Sequence, residues 1–210
     1  MMNLLLKILR APWTIAAVIG DRWLWPMVVS AAGVQHGSGL KLVGAPEIRM
    51  TPGGTIRLGK DVTLYSRRTS NPLLLHTPCA LRLLSPEARI TIGDDCALSG
   101  TVVCAATSVT IGNHVLIGAN VKISDSDFHP LSPEARRVDR NRGAASKPIT
   151  IHDDVFIGAG AFILKGTVLG EGCVVGAGAV VSGEFPARSI IAGNPAKVIK
   201  TLETSPPTFA

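Results

Sequence analysis

Ile151 to Val181 reads IHDDVF IGAGAF ILKGTV LGEGCV VGAGAV V. Each group of six opens on an aliphatic residue: Ile151, Ile157, Ile163, Leu169, Val175 and finally Val181. Four positions after each of the first five stands a second, mostly small residue: Val155, Ala161, Thr167, Cys173 and Ala179. An amphipathic helix repeats at about 3.6 residues and a half-buried strand at about 2, and neither sustains a beat of six. A fixed hexapeptide repeat is the mark of a parallel β-helix. Each unit lays one short strand on a wall, points its aliphatic residue inward and turns at a corner. Small residues at the second inward position let the walls close.

Working outward, the beat recurs at Ile111, Ile117 and Ile123, with Val115 and Val121 between them. A looser version passes through Ile92, Leu98 and Cys104 and slips by one residue before Ile111. Leu58, Val62 and Leu64 place coils before residue 60. The expected fold is an all-β solenoid over residues 41–200. From Ile123 to Ile151 the spacing is 28 (151 − 123), which is not a multiple of six. Residues 124–148 are therefore expected to leave the wall as one long excursion loop, and such loops in repeat folds tend to be functional. With 4 % aromatics and 22 glycines, the composition suits tight coils. The four cysteines show no CxxC pairing, and Cys96, Cys104 and Cys173 sit on or beside the beat, as small buried hydrophobes.

The N-terminal segment, residues 1–40, differs. Met1–Gly33 is apolar, carries Trp13, Trp23 and Trp25, and is interrupted by Lys7, Arg10, Asp21, Arg22, Pro12 and Pro26. It contains no apolar run long enough to span a bilayer. Asp21 and Arg22 cut the apolar core that a signal peptide requires. Two readings stand: a helical cap on the open end of the solenoid, or a segment lying at a membrane surface with Trp and Lys/Arg at the headgroup boundary. The corresponding location is the cytoplasm, with peripheral contact at the inner face of the membrane in the second reading. Residues 201–210 read as a tail.

The excursion opens with Asp125-Ser126-Asp127-Phe128-His129-Pro130. Pro130 biases its predecessor toward an extended backbone, which would present the His129 imidazole from a stiff segment. A histidine so placed suits a general base, with Asp125 or Asp127 orienting its other ring nitrogen. The competing readings are a surface histidine without chemistry, and a nucleophilic pair with Ser124 or Ser126. Further along lie Arg136, Arg137, Arg140 and Arg142, with Glu134 and Asp139 among them. They read as a solvated loop or as guanidinium forks for an anionic acceptor. They are not interleaved with aromatics, so nucleic acid is not an expected partner. His36, His76, His114, His129 and His152 lack the His-x4-His pairing of a histidine-held zinc site, and no metal is expected. His76, in an apolar run, reads as a core histidine, and His114 and His152 as corner or surface residues.

Several motifs carry a resemblance: Ile111–Gly118 (IGNHVLIG), Asp125–Pro130, Lys147-Pro148-Ile149, Asp154–Ala159, Gly176–Val181 and Ala192–Lys200 (AGNPAKVIK). Over roughly residues 90–200 the chain resembles the hexapeptide-repeat acyltransferases, in particular the maltose, galactoside and nodulation-type sugar O-acetyltransferases. The resemblance implies a left-handed parallel β-helix and a homotrimer with active sites between neighbouring subunits. It implies acetyl-CoA as co-substrate, a saccharide acceptor, and direct transfer with His129 as the base. The pantetheine arm would run beside Phe156, Gly158, Ala159, Gly176, Ala177 and Ser182, with Lys197 and Lys200 near the phosphates. Asn113, Arg136 and Arg137 would face the acceptor. A net charge of +6 suits an anionic cofactor. The chain departs from the pattern at Ser182, where relatives often carry lysine, and at Phe156, where they often carry tryptophan. Leu98–Ala106 offers neither the Asn nor the Asp that holds the sugar in the galactoside and maltose enzymes. An acceptor hydroxyl on an antibiotic or a serine, or a non-catalytic trimeric binding module, remain the alternatives.

Overall fold

The structure, a computed structural model, describes residues 20–140 and 142–203. The first nineteen residues, including Trp13, and the tail from 204 onward lie outside the described residues. Among the described residues, strands stack into three walls of seven, eight and six, all parallel except the last of the eight, which runs antiparallel and closes the C-terminal end. The result is a left-handed parallel β-helix of triangular section.

The hexapeptide beat maps directly onto the walls. Ile111 stacks on Ile151 and Ile151 on Leu169 in the first wall. Ile117, Ile157 and Val175 stack in the second, and Ile123, Ile163 and Val181 in the third. Each wall thus receives every third beat residue, and all nine are at most 1 % exposed. Burying a fully enclosed Ile, Leu or Val contributes about 1.5–3 kcal/mol, and here the contribution repeats at every level of the stack.

At the first corner, side chains take over from the apolar beat. Lys60 N–H donates to Asp94 Oδ1 (2.8 Å), Asp94 N–H to Asn113 Oδ1 (2.9 Å), and Asn113 N–H to Asp153 Oδ1 (2.9 Å). The residue after each ladder member turns with positive φ: Asp95, His114 and Asp154 lie at 53°, 55° and 59°. Asp tolerates this region at Asp95 and Asp154, and the side chains of Asp94, Asn113 and Asp153 accept backbone N–H groups of the preceding coil, which is why Asp and Asn recur at this corner.

Two details correct the sequence reading. Val103, not Cys104, stacks beneath Ile123, and Cys104 lies beside Ser124. The strand Val102–Ala105 points Val103 and Ala105 inward by ordinary alternation, and this overrides the six-residue count. His76 is exposed rather than part of the core, because residues 66–79 form a second excursion, between the strands Thr63–Tyr65 and Ala80–Leu83. All four cysteines are free and buried. Burial pushes the Cys96 thiol up to about 11 and raises the other three as well.

At the N-terminal end, a wide helical turn, Gly20–Leu24, leads into helix α1, Trp25–Ala31. Val29 is 1 % exposed within the solenoid core, and Trp25 packs against that core. Asp21 accepts from Gly44 N–H (2.8 Å) and pairs with Arg67 (2.7 Å), tying the turn to the first coil. The opposite face is largely exposed: Trp23, Leu24, Met27 and Val28 are 63, 50, 70 and 48 % exposed. Among the described residues, no helix is long and apolar enough to cross a membrane.

Candidate active site

Going from Ile123 on the third wall to Ile151 on the first should take six residues, so the 28-residue spacing leaves 22 for the excursion (28 − 6). Its neck is pinned by backbone pairs. Asp127 N–H donates to Ala145 O (3.0 Å), Lys147 N–H to Asp125 O (2.9 Å), and Ser126 bridges Ser146. Within this excursion, expected to be loop throughout, lies helix α2, Pro133–Val138. Ser132 caps it by accepting from Ala135 N–H (3.2 Å), and Pro133 suits its first turn.

His129 emerges from the neck through a tight turn in which its N–H donates to Asp127 O (2.7 Å) and Phe128 sits at φ 62°. This is a γ-turn with a bulky residue in the left-handed region, an arrangement costing about 1–3 kcal/mol that concentrates at functional sites. The imidazole Nδ1 lies 2.7 Å from Arg140 O. A carbonyl oxygen can only accept, so Nδ1 carries a proton, and Nε2 is the ring nitrogen left for a substrate. The ring opens onto a cavity of about 470 Å³ lined also by Pro133, Arg136, Arg137 and Arg140.

Neither expected carboxylate reaches this imidazole. Asp125, with no exposure, accepts from Ala106 N–H (2.6 Å) and from Thr107 N–H and Oγ1 (both 2.7 Å). Asp127 Oδ1 pairs with Lys165 (2.6 Å), and Oδ2 is buried with no partner among the described residues. Both acids hold the neck, and a backbone carbonyl 11 residues downstream orients the ring. The serines are engaged as well: Ser124 Oγ bonds Ser126 O and N–H, and Ser126 Oγ accepts from Phe128 N–H. Asn113 is likewise spent in the first-corner ladder, where its Nδ2 donates to Asp153 Oδ2 (3.1 Å), so its polar atoms face the stack rather than an acceptor. Arg136 and Arg137, by contrast, are brought beside His129.

Four of the expected cofactor residues, Gly158, Ala159, Gly176 and Ala177, gather at the second corner. Gly158-Ala159-Gly160 and Gly176-Ala177-Gly178 stack there, with Gly160 and Gly178 at φ 69° and 68°. A Cβ on Gly158 would lie 2.6 Å from Ala177 N and 2.8 Å from Val175 O, so the levels touch backbone to backbone. The N–H groups of Ala159 and Ala177 donate no hydrogen bond among the described residues, whereas those of Gly158, Gly160, Gly176 and Gly178 do. Free donors on a column of small residues fit an extended chain bearing amide carbonyls. Phe156 projects from the second wall at 42 % exposure. Ser182 is exposed beyond the third wall, and Lys197 and Lys200 lie exposed on the closing strand Ala196–Thr201.

The second excursion, residues 66–79, reaches this same corner with its tip. His76 N–H donates to Asn120 Oδ1 (2.8 Å), and Leu73, His76, Lys122, Ala159 and Phe162 share a cavity of about 410 Å³. Burial lowers the Lys122 ammonium from its ordinary value. The signal was present: Leu64 to Leu81 spans 17 residues (81 − 64), again not a multiple of six. Among the described residues, no group of three or more His, Cys, Asp or Glu is arranged to hold a metal ion.

Comparison with known proteins agrees with this architecture. The bacterial transferase hexapeptide profile (six repeats) matches residues 148–183, and the hexapeptide repeat of succinyl-transferase matches residues 108–124. Galactoside O-acetyltransferase of Lactococcus lactis is 37 % identical over 100 residues, 47 % of this chain and 46 % of that protein. The chain spans about half the length of the curated relatives it matches. A hexapeptide-repeat containing acetyltransferase from Vibrio cholerae is 30 % identical, covering 60 % of this chain and 70 % of that one, with a TM-score of 0.50. A variant of AntD, an N-acyltransferase from Bacillus cereus, is 18 % identical with a TM-score of 0.65 over 85 % of this chain and 89 % of that one, a likeness of fold. With its beat, its stacked corners and these relatives, the chain belongs to the hexapeptide-repeat acyltransferase family.

Proposed function

We propose that this protein is an acetyl-CoA-dependent O-acetyltransferase that acts on a hydroxyl of a saccharide, with His129 as general base. The observation that carries the reading is the 2.7 Å contact from His129 Nδ1 to Arg140 O, which leaves Nε2 as the proton acceptor at the mouth of a cavity. In this role Nε2 takes the proton from the acceptor hydroxyl as that oxygen bonds to the thioester carbonyl carbon, the Arg140 carbonyl stabilises the imidazolium that results, and the C–S bond then breaks as that proton passes to the departing CoA sulfur. Acetyl-CoA supplies the activated acetyl group. Ala159 and Ala177 would hold its pantetheine arm through their free N–H groups, with Phe156, Gly158, Gly176 and Ser182 alongside and Lys197 and Lys200 toward its phosphates. The identity to galactoside O-acetyltransferase favours an oxygen acceptor on a sugar.

The same reading calls for a homotrimer. His129 leaves the solenoid between the third and first walls, whereas Ala159 and Ala177 occupy the corner between the second and third. One six-residue side at about 3.3 Å per residue separates these corners by up to about 20 Å, while reacting groups must approach to about 3–3.5 Å. A neighbouring copy brings the two half-sites together. The exposed apolar side chains of Leu24, Met27 and Val28, with Trp23 beside them, suit peripheral contact with a membrane from the cytoplasmic side. Trp23→Ser/Met27→Ser should abolish co-sedimentation with anionic vesicles, and co-sedimentation unchanged from wild type would remove that contact from the proposal.

The deciding experiment is CoA release from acetyl-CoA with a panel of neutral and acidic sugars, for wild type and His129→Ala. Acceptor-dependent release that vanishes in the variant, with the oligomer intact by light scattering, supports the reading. Equal release from both proteins refutes His129 as the base.

A further inference from the structure

Two cavities flank His129, of about 470 and 600 Å³, and Arg136, Arg137 and Arg140 line both. The three arginines do different things. Arg136 Nη1 donates to Pro130 O (2.9 Å) and to Leu131 O, so it ties α2 back onto the segment after His129. The guanidinium groups of Arg137 and Arg140 make no hydrogen bond or ion pair among the described residues. Glu134, the acid on α2, is turned to the Ser132 hydroxyl at the helix start (2.7 Å), and Asp139 lines only the second cavity. Nε2 of His129 therefore shares a cleft with two guanidinium groups that are not ion-paired among the described residues.

A guanidinium fork matches the paired oxygens of a phosphate or carboxylate. The phosphates of CoA lie at the far end of the pantetheine arm from the reacting sulfur, so an anion held beside the base belongs to the other substrate. We infer that the acceptor is an anionic saccharide, whose phosphate or carboxylate is held by Arg137 and Arg140 while its hydroxyl meets His129 Nε2. This inference rests on the acyl-transfer reading above, and it names the substrate class of that site.

Binding without turnover separates the two. Glucose 1-phosphate, glucuronic acid and glucose are titrated calorimetrically into the full chain. The same titrations are made with Arg137→Ala/Arg140→Ala and with Arg49→Ala/Lys60→Ala, which removes two exposed cations that do not line the cleft. At least one anionic sugar should bind wild type about tenfold or more tightly than glucose. That preference should disappear in the Arg137/Arg140 variant and persist in the Arg49/Lys60 variant, with CoA affinity unchanged in all three. The stronger of the two anions identifies phosphate or carboxylate as the group recognised. The inference is overturned if neither anion outbinds glucose, or if the Arg137/Arg140 variant keeps the preference. It is equally overturned if both variants lose it alike, or if CoA binding weakens together with sugar binding, since the arginines would then serve the cofactor. Failure in any of these ways leaves the CoA-release test untouched.

Discussion

Asp125 offers a sharp test of how the site is held. Its carboxyl accepts three hydrogen bonds, from Ala106 N–H, Thr107 N–H and Thr107 Oγ1, at 2.6–2.7 Å and with no exposure of its own. Its backbone carbonyl also receives Lys147 N–H, so it sits where the excursion both leaves and returns. Asp125→Ala strands these donors. Thr107 is exposed and its hydroxyl can turn to water, so the two amides set the cost. At about 1–3 kcal/mol per unsatisfied donor, partly relieved by solvent beside Thr107, the loss should be about 2–4 kcal/mol. For a chain of this size, that lowers the melting midpoint by about 5–15 °C. Urea denaturation gives the stability, and the pH profile of acceptor-dependent CoA release gives the chemistry. The expected result is a clear loss of stability with an unaltered pH profile in the fraction that stays folded. If the variant unfolds like wild type but its pH profile shifts or its turnover collapses, Asp125 acts on the imidazole directly and the structural role assigned to it here is wrong.

Three other outcomes follow from the geometry. Gly158→Ala places a methyl group 2.6 Å from Ala177 N and should cost about 1–3 kcal/mol while weakening CoA binding, both measurable by calorimetry; an unperturbed melt would mean that the levels are not in backbone contact. Phe128→Gly removes the left-handed strain at φ 62° and should leave stability equal or up to about 1 kcal/mol higher, while turnover falls because His129 is less firmly aimed; a large destabilisation would contradict this. The Asp153 carboxyl is held below its usual 3.8, first by Asn113 N–H and then by the Asn113 side-chain amide. A carboxyl depressed in the folded state contributes stability that is present above its unfolded value and lost as pH falls through the lower folded one. The stability gap between wild type and Asp153→Asn, followed by denaturation from neutral pH downward, should therefore be constant above about pH 4 and close below it; a gap that persists in acid would exclude the linkage.

The sequence by itself determined the fold. Ile151 through Val181 can satisfy a beat of six in only one way, because an aliphatic residue every sixth position must face one shared interior, and three short strands per coil stack them in register. It also located the excursion that carries His129, because a spacing of 28 breaks the beat and Pro130 marks the exit. The beat misled at Cys104, where a longer strand alternates on its own period of about two, and the sequence reading overlooked the second break, between Leu64 and Leu81.

What only the tertiary structure decided is which groups meet. Proximity in sequence made Asp125 and Asp127 the natural partners of His129. Folding instead spends Asp125 on amides of the preceding coil and Asp127 on Lys165, three strands later and one coil on. The ring is oriented by the carbonyl of Arg140, a group every residue has and no sequence pattern reveals. Asn113 likewise looked available for a ligand until stacking placed Asp153 directly beside it. Local periodicity fixes a repeat because each unit repeats the same contacts. An irregular loop repeats nothing, so its hydrogen bonds are settled only once the coils above and below it are in place.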